Sequence, residues 1–395
     1  MDLNERKHLY ARVIVEIGVG LKPGQILCAE ASVDQKDFME ILAEEAYKAG
    51  CIQFVAIWDD NKIDRLSAEN MKENYTNTSQ PLTDYYAEKG AAFVRFDCPD
   101  LEAFAGLDAE ILKYKAKGDR NMRKVFREKA KSGHSIACLP GKSWAKLVFP
   151  ELPEQEAMEK LWDAVLACTR CKEQDPVAAW RRFMKDTEER KKVLDEKKFT
   201  CFHYYGGNTD FTFSPAVDEI WKGGCVEANG TVWAPNVPTE EVFISPHKNK
   251  VNGVIASTMP LVYSGQLIDG IRFVVKDGRI VESHAEKGEE LLRTIIDTDE
   301  GSHYLGEMAL IDQSSPIAAM GRVFYTTLYD ENASCHVAIG NAYSGNITAE
   351  EKEKRGYNVS DVHVDFMIGC DSLCIDGQRP DGSWEKVFVD GHWAI

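Results

Sequence analysis

The stretch GQILCAEASVDQKDFMEILAEEAYKAGCIQFVAIW, residues 24 to 58, decides the fold of the first half of the chain. It opens on a short apolar run, QILCAE (25–30). The helix pattern KDFMEILAEEAYKAG (36–50) follows, closed by Gly50, and then a second apolar run, CIQFVAIW (51–58). Short continuous apolar runs separated by helices are the pattern of βαβ units, whose strands are covered on both faces. Two later runs, AAFVRF (91–96) and HSIACLP (134–140), continue the alternation. The expectation is an α/β N-terminal domain built on a mostly parallel sheet.

Residues 154–198 read as two helices, the second ending in KDTEERKKVLDEKK, where 11 of 14 residues are charged, as on a solvated helix leading out of a domain. From Phe199 the texture changes to short strands punctuated by YYGGNTD, WKGGC, EANGT, KDGRI and RPDGSW, with one clear helix at KGEELLRTII (287–296). This predicts an α+β C-terminal domain rich in antiparallel strands. The expected division is therefore 1–198 and 199–395, a reasonable split for a chain of 395 residues.

Charge and composition exclude several classes of function. The balance of 47 basic and 64 acidic residues gives −17, and no basic block interleaved with aromatics stands out, which argues against nucleic acid as a partner. The opening helix pattern is too polar for a signal peptide, and no run of about 18 apolar residues could cross a membrane. The 11 cysteines are odd in number and scattered, which is the usage of a reducing cytoplasm.

Two motifs are decoys. GKS at 141–143 lacks the glycine a phosphate-binding loop needs, that position being Ile136 within an apolar strand. Cys168 and Cys171 form a CxxC inside the helical pattern LWDAVLACTRC, with no second pair to complete a zinc site.

Four segments of the second half hold acids or histidines where polar residues are hard to explain otherwise. In APNVPTEEVFISP (234–246), Glu240 and Glu241 enter a strand, so at most one of them points inward. In DTDEGSHYLGEMAL (297–310), Glu307 lies between Gly306 and an apolar run. In LYDENASCHVAIGNAY (328–343), Glu331, His336 and Tyr343 flank a buried strand pattern, a poor place for an unpartnered imidazole. DVHVDFMIG (361–369) places His363 and Asp365 on one strand face and Val362, Val364 and Phe366 on the other. Alone, that last pair is better accounted for by a solvated His–Asp hydrogen bond than by two ligands aimed at one ion. Taken together, an oxygen-rich set with two histidines suits one or two divalent ions engaged in hydrolysis better than a closed structural zinc.

PNVPTEEVF, DEGSHYLGE, DENASCHVAIGNAY and VHVDFMIG, in this order and spacing, closely resemble the aminopeptidase T and aminopeptidase S family of metallo-aminopeptidases. SWAKLVFPELPEQEAMEKLWDA and DPVAAW in the first half extend the resemblance over nearly the whole chain. It implies a dinuclear exopeptidase site with Glu241, Glu307, His336, His363 and Asp365 as metal ligands, and Glu307 as the bridge. It also implies Tyr343 as a catalytic tyrosine, and Glu331 as either a ligand or the general base. Cys335 stands where the family pattern leads one to expect serine, a change that removes no ligand but could alter local redox behaviour or metal softness. The implied cofactors are two divalent ions, zinc, cobalt or manganese. The implied substrates are short peptides, and the implied assembly is a homodimer.

Two rivals remain at this level. A two-carboxylate glycosidase using pairs among Glu241, Glu307 and Glu331 would give His336 and His363 no task. A non-catalytic metal- or peptide-binding module would hold an ion and turn nothing over.

Overall fold

The helix over Lys36–Lys48 buries Phe38, Met39, Leu42 and Ala46, one stripe at helical spacing, and Gly50 (φ 92°) ends the segment in a left-handed conformation that glycine adopts without strain. The strands on either side, Ile26–Ser32 and Gln53–Asp59, pair in parallel from Ile26 opposite Gln53 to Ser32 opposite Asp59. The opening stretch is thus a βαβ unit. This is a computed structural model, and it describes the chain except for residues 77–79, 101, 109, 116, 120–131, 264–265 and 346.

The chain divides into two units, one made of Met1–Met184 with Cys225–Thr239, the other of Lys185–Gly224 with Glu240–Ile395. The first holds a parallel five-stranded sheet in the order Asn236–Val237, His134–Cys138, Ala92–Asp97, Ile26–Ser32, Gln53–Asp59. Helices follow or precede these strands at Leu3–Val13, Lys36–Lys48, Asn61–Met71, Gln80–Glu88, Lys142–Val148 and Glu154–Cys168. The charged run 185–198 continues the long Pro176–Lys197 helix. A hairpin, Val226–Ala228 with Thr231–Trp233, also belongs to this unit. It turns on Asn229 (φ 52°) and Gly230 (φ 71°), as the EANGT signal predicts.

The second unit is antiparallel. Eight strands run in the order Arg279–His284, Arg272–Lys276, Pro246–Ala256, Thr209–Pro215, Cys201–Gly206, Cys374–Gln378, Trp384–Val389, His392–Trp393. A smaller sheet has the order His363–Met367, His336–Gly340, Leu305–Leu310, Val242–Ile244, Lys222–Gly223. The two sheets share one apolar core. Phe202, Tyr204, Phe211, Phe213 and Phe273 come from the larger sheet, and Met308, Leu310, Val337, Ile339, Val364 and Phe366 from the smaller. Phe273 meets Phe366 edge-on, with centroids 5.2 Å apart. The parallel-then-antiparallel class read from the sequence is the class observed. Among the described residues no helix is long and apolar enough to cross a membrane.

Candidate metal centre

One face of the smaller sheet is spent on the core, so its other face is free for polar work. Strand pairing aligns Ala309 with His336, and Glu307 with Ala338. On the far side of the central strand, Ala338 lies opposite Asp365 and Gly340 opposite His363. Glu307 and Asp365 therefore flank the methyl group of Ala338, and His363 has only a hydrogen opposite it. Small residues at these positions leave room for four long polar side chains. Val242 and Ile244 face the core, so the preceding Glu241 points to the same side as Glu307, and Glu240 does not.

A register shift delivers Glu307. Leu305 pairs with Ile339 but Glu307 with Ala338, so Gly306 is an extra residue in the ladder, a β-bulge. Without it Glu307 would share the core face with Leu305, two positions earlier. The bulge turns Leu305 into the core and Glu307 onto the polar face.

The donor atoms converge around Glu307. His336 Nε2 lies 3.4 Å from Glu241 Oε2 and 3.7 Å from Glu307 Oε1. His363 Nε2 lies 3.7 Å from Glu307 Oε2 and 3.3 Å from Asp365 Oδ1. Two ligand triads result, Glu241–Glu307–His336 and Glu307–His363–Asp365, with Glu307 common to both. The ring tautomers are fixed by backbone carbonyls, which can only accept. His336 Nδ1 donates to the carbonyls of Glu331 (2.8 Å) and Ser334 (3.2 Å), and His363 Nδ1 to that of Asn341 (2.8 Å). In the neutral rings each Nε2 then presents a lone pair to carboxylate oxygens. Glu307 Oε2 and Asp365 Oδ1 are buried without a hydrogen bond. Lone pairs facing lone pairs in a site where Glu307 and His336 are 4% and 1% exposed call for cations, so the residues present fit divalent metal.

With no cation, protons have to take that place. Burial raises the Glu307 carboxyl to about 7, with His336 opposing and the Glu241 charge adding to the rise. Burial disfavours the charged form of His363, but Asp365 and Glu307 outweigh it and carry the imidazole up to about 10. His336 behaves likewise, burial being overcome by Glu241 and Glu307, so its pKa lies well above the usual imidazole range. Asp365 is held low because His363 and His336 outweigh its burial. Glu331 is pushed well above the carboxylate range by burial and by the charges of Asp365 and Glu241.

Tyr343 stands at the rim. Its ring packs on His363 (centroids 4.7 Å apart) and on Phe243 (5.7 Å), while 43% of the residue is exposed. Its hydroxyl is pushed well above the usual phenol range by desolvation and by the field of Glu307, Asp365, Glu331 and Glu241, which keeps it a neutral donor.

The sequence profile of the thermophilic metalloprotease (M29) family matches residues 3–393. The chain belongs to this family. It is 36% identical over 408 residues to the aminopeptidase AmpS of Bacillus subtilis (strain 168), covering 100% of both chains. It is also 36% identical to aminopeptidase T of Thermus aquaticus over 406 residues, covering 99% of each. Among solved structures, wild-type AmpT from Thermus thermophilus superposes with a TM-score of 0.93 at 34% identity, covering 100% of each chain.

All seven residues singled out from the sequence of this M29 protein lie in the second unit. Five of them, Glu241, Glu307, His336, His363 and Asp365, form the two triads, with Glu331 and Tyr343 beside them. Cys335 faces away from the site. Its thiol is 2% exposed in the core, donates to the Ile311 carbonyl and accepts from the Ile311 amide, and burial pushes it up to about 12. Sequence reasoning missed Gly306 as the bulge, the Asn341 carbonyl that orients His363, and Asn332. A buried asparagine beside an acid in DENASCH was the one available signal.

Proposed function

We propose that this chain is a metal-dependent aminopeptidase that removes N-terminal residues from short peptides with two divalent ions held side by side. Glu241 and His336 would hold one ion, His363 and Asp365 the other, and Glu307 would contribute one carboxylate oxygen to each. The observation that carries this reading is the pair of Glu307 oxygens, each 3.7 Å from the Nε2 of a different imidazole whose Nδ1 is already committed to a backbone carbonyl. Bound there, divalent ions supply a water of lowered pKa and a polarised scissile carbonyl.

The chain's own groups do the rest. The Glu331 carboxyl, buried in the field of Asp365 and Glu241, would take a proton from the attacking water and pass it to the leaving amine. The neutral Tyr343 hydroxyl donates a hydrogen bond to the developing oxyanion. His336 and His363 would hold the ions through Nε2, their Nδ1 hydrogens being committed to backbone carbonyls. This assignment gives each imidazole a task, which the glycosidase reading does not.

The native ion in this reading is zinc, cobalt or manganese, since an oxygen and nitrogen donor set accepts each and availability decides. The expected working form is a homodimer in the cytoplasm, a reducing compartment in keeping with the 11 free cysteines. The test is to strip the protein with a chelator, confirm metal loss by elemental analysis, and assay aminoacyl reporter substrates before and after adding each metal. Activity should vanish and return, and Glu307→Ala should remove it permanently. Full activity in metal-free protein would falsify the proposal, and tight metal binding without release of amino acids from a peptide mixture would favour the binding-module reading.

A further inference from the structure

Both chain neighbours of Glu331 are fully committed by hydrogen bonds. Asp330, 3% exposed, accepts from the Phe324 amide (2.7 Å) and the Thr326 amide (3.0 Å). Asn332, 0% exposed, accepts from the Glu240 amide at 2.8 Å through Oδ1, and donates through Nδ2 to the Leu328 carbonyl (2.9 Å) and to Glu331 Oε1 (3.3 Å). The two backbone partners fix which end of the carboxamide is oxygen, because an amide N–H demands an acceptor and a carbonyl demands a donor. Both Nδ2 hydrogens are then used, one of them on the Glu331 carboxylate.

This side chain joins two segments 92 positions apart in sequence, the turn that carries Glu331 and the strand entry that carries Glu241. The Asn332 carbonyl also accepts from Ser315 Oγ at 3.4 Å, so the residue is tethered at both ends. We infer that Asn332 is a positioning residue, which holds the Glu331 carboxylate at a fixed place relative to the Glu241 end of the metal centre and keeps one of its oxygens engaged. The inference rests on the proton-shuttle reading of Glu331 given above. Its alternative is a buried asparagine that merely satisfies two backbone groups. The two differ because only the first acts through Glu331.

The experiment is a double-mutant cycle on the zinc-loaded enzyme, with Asn332→Ala and the isosteric Asn332→Asp each made alone and in a Glu331→Gln background. The thermal transition of the metal-free and the loaded protein reports on folding, while zinc affinity by chelator competition and zinc stoichiometry report on the Glu241 end of the site. Asn332→Asp keeps the shape and the acceptor for the Glu240 amide but loses both Nδ2 donations, to Glu331 and to the Leu328 carbonyl, and it carries the test where the alanine variant fails to fold. The expected result is a fall in kcat of about 10- to 100-fold with KM within about threefold, the scale set by a misplaced reacting group. Asn332→Ala should also bind zinc more weakly, by about tenfold, through release of the Glu241 segment. In the Glu331→Gln background neither change should lower kcat further. Wild-type kcat in a folded Asn332 variant, or the same fold-loss with Glu331→Gln present, overturns the inference. Wild-type activity of Glu331→Gln alone would instead overturn the proton-shuttle assignment.

Discussion

Replacing Gly306 by alanine tests the bulge that aims Glu307. A Cβ at that position would lie 2.5 Å from both the Gly340 and the Asn341 carbonyl oxygens, where ordinary contact begins at 3.4 Å. The backbone must therefore give by about 0.9 Å, the difference of those two distances. Either the end of the His336–Gly340 strand retreats or the bulge flattens. The first displaces the Asn341 carbonyl, which takes the Nδ1 hydrogen of His363 at 2.8 Å; the second swings Glu307. Neither group is flexible, so overpacking should cost about 1–3 kcal/mol of stability. Losing the orientation of a ligand should cost about 10- to 100-fold in metal affinity or turnover. The assays are thermal unfolding of the metal-free protein, chelator-competition titration of zinc, and kcat on an aminoacyl reporter. A Gly306→Ala protein with wild-type stability, zinc affinity and turnover would show that the bulge does not set the Glu307 geometry.

Metal loading should release protons, because the empty site keeps Glu307 protonated up to about 7 and His363 up to about 10. Falling pH fills these groups with competing protons, so metal affinity should drop by up to about tenfold per pH unit for each proton displaced, a slope readable by calorimetry in buffers of different ionisation heat and contradicted by a pH-independent affinity. Tyr343→Phe should lower kcat by about 10²–10³ with metal content unchanged, and an unaltered kcat would remove the hydroxyl from the oxyanion role. Asp299 is partly buried, which raises its pKa. Its hydrogen bonds from the Asp361 amide, Ser360 Oγ and the Ser302 amide outweigh that and hold the carboxyl below its ordinary value. A depressed acid stabilises the fold above its unfolded pKa and loses that contribution as pH falls through the folded one, so Asp299→Asn should lower the urea midpoint at neutral pH by a margin that closes in acid. A margin independent of pH would refute that account.

The parts of this protein that follow a period were legible in its sequence, and the parts that break one were not. Phe38, Met39, Leu42 and Ala46 announce their helix, and the apolar run 51–58 its strand, because burial imposes a repeat that survives as pattern. The alternation of DVHVDFMIG likewise aims His363 and Asp365 to one side, with Val364 and Phe366 in the core. Glu307 is different. Counting by twos from Leu305 assigns it to the core, and only the extra residue at Gly306 corrects the count. The return of residues 225–239 to the first unit was equally invisible, since nothing in a two-residue strand such as Asn236–Val237 names its partner His134–Cys138.

The same sheet has to satisfy two incompatible environments, one on each face, and the register is what keeps them apart. A slip of one residue in the His363–Met367 strand would bury His363 and Asp365 against Phe273 and expose Val364 and Phe366, so the core itself opposes the slip. Val337, Ile339, Val364 and Phe366, all on the core face, thereby hold the donor atoms in line. Each fully buried side chain of this size is worth about 1.5–3 kcal/mol, so the four together set a cost of about 6–12 kcal/mol against the slip. The electron-rich face is therefore preformed by packing on its back, and metal binding completes a site whose geometry the apolar residues have already set.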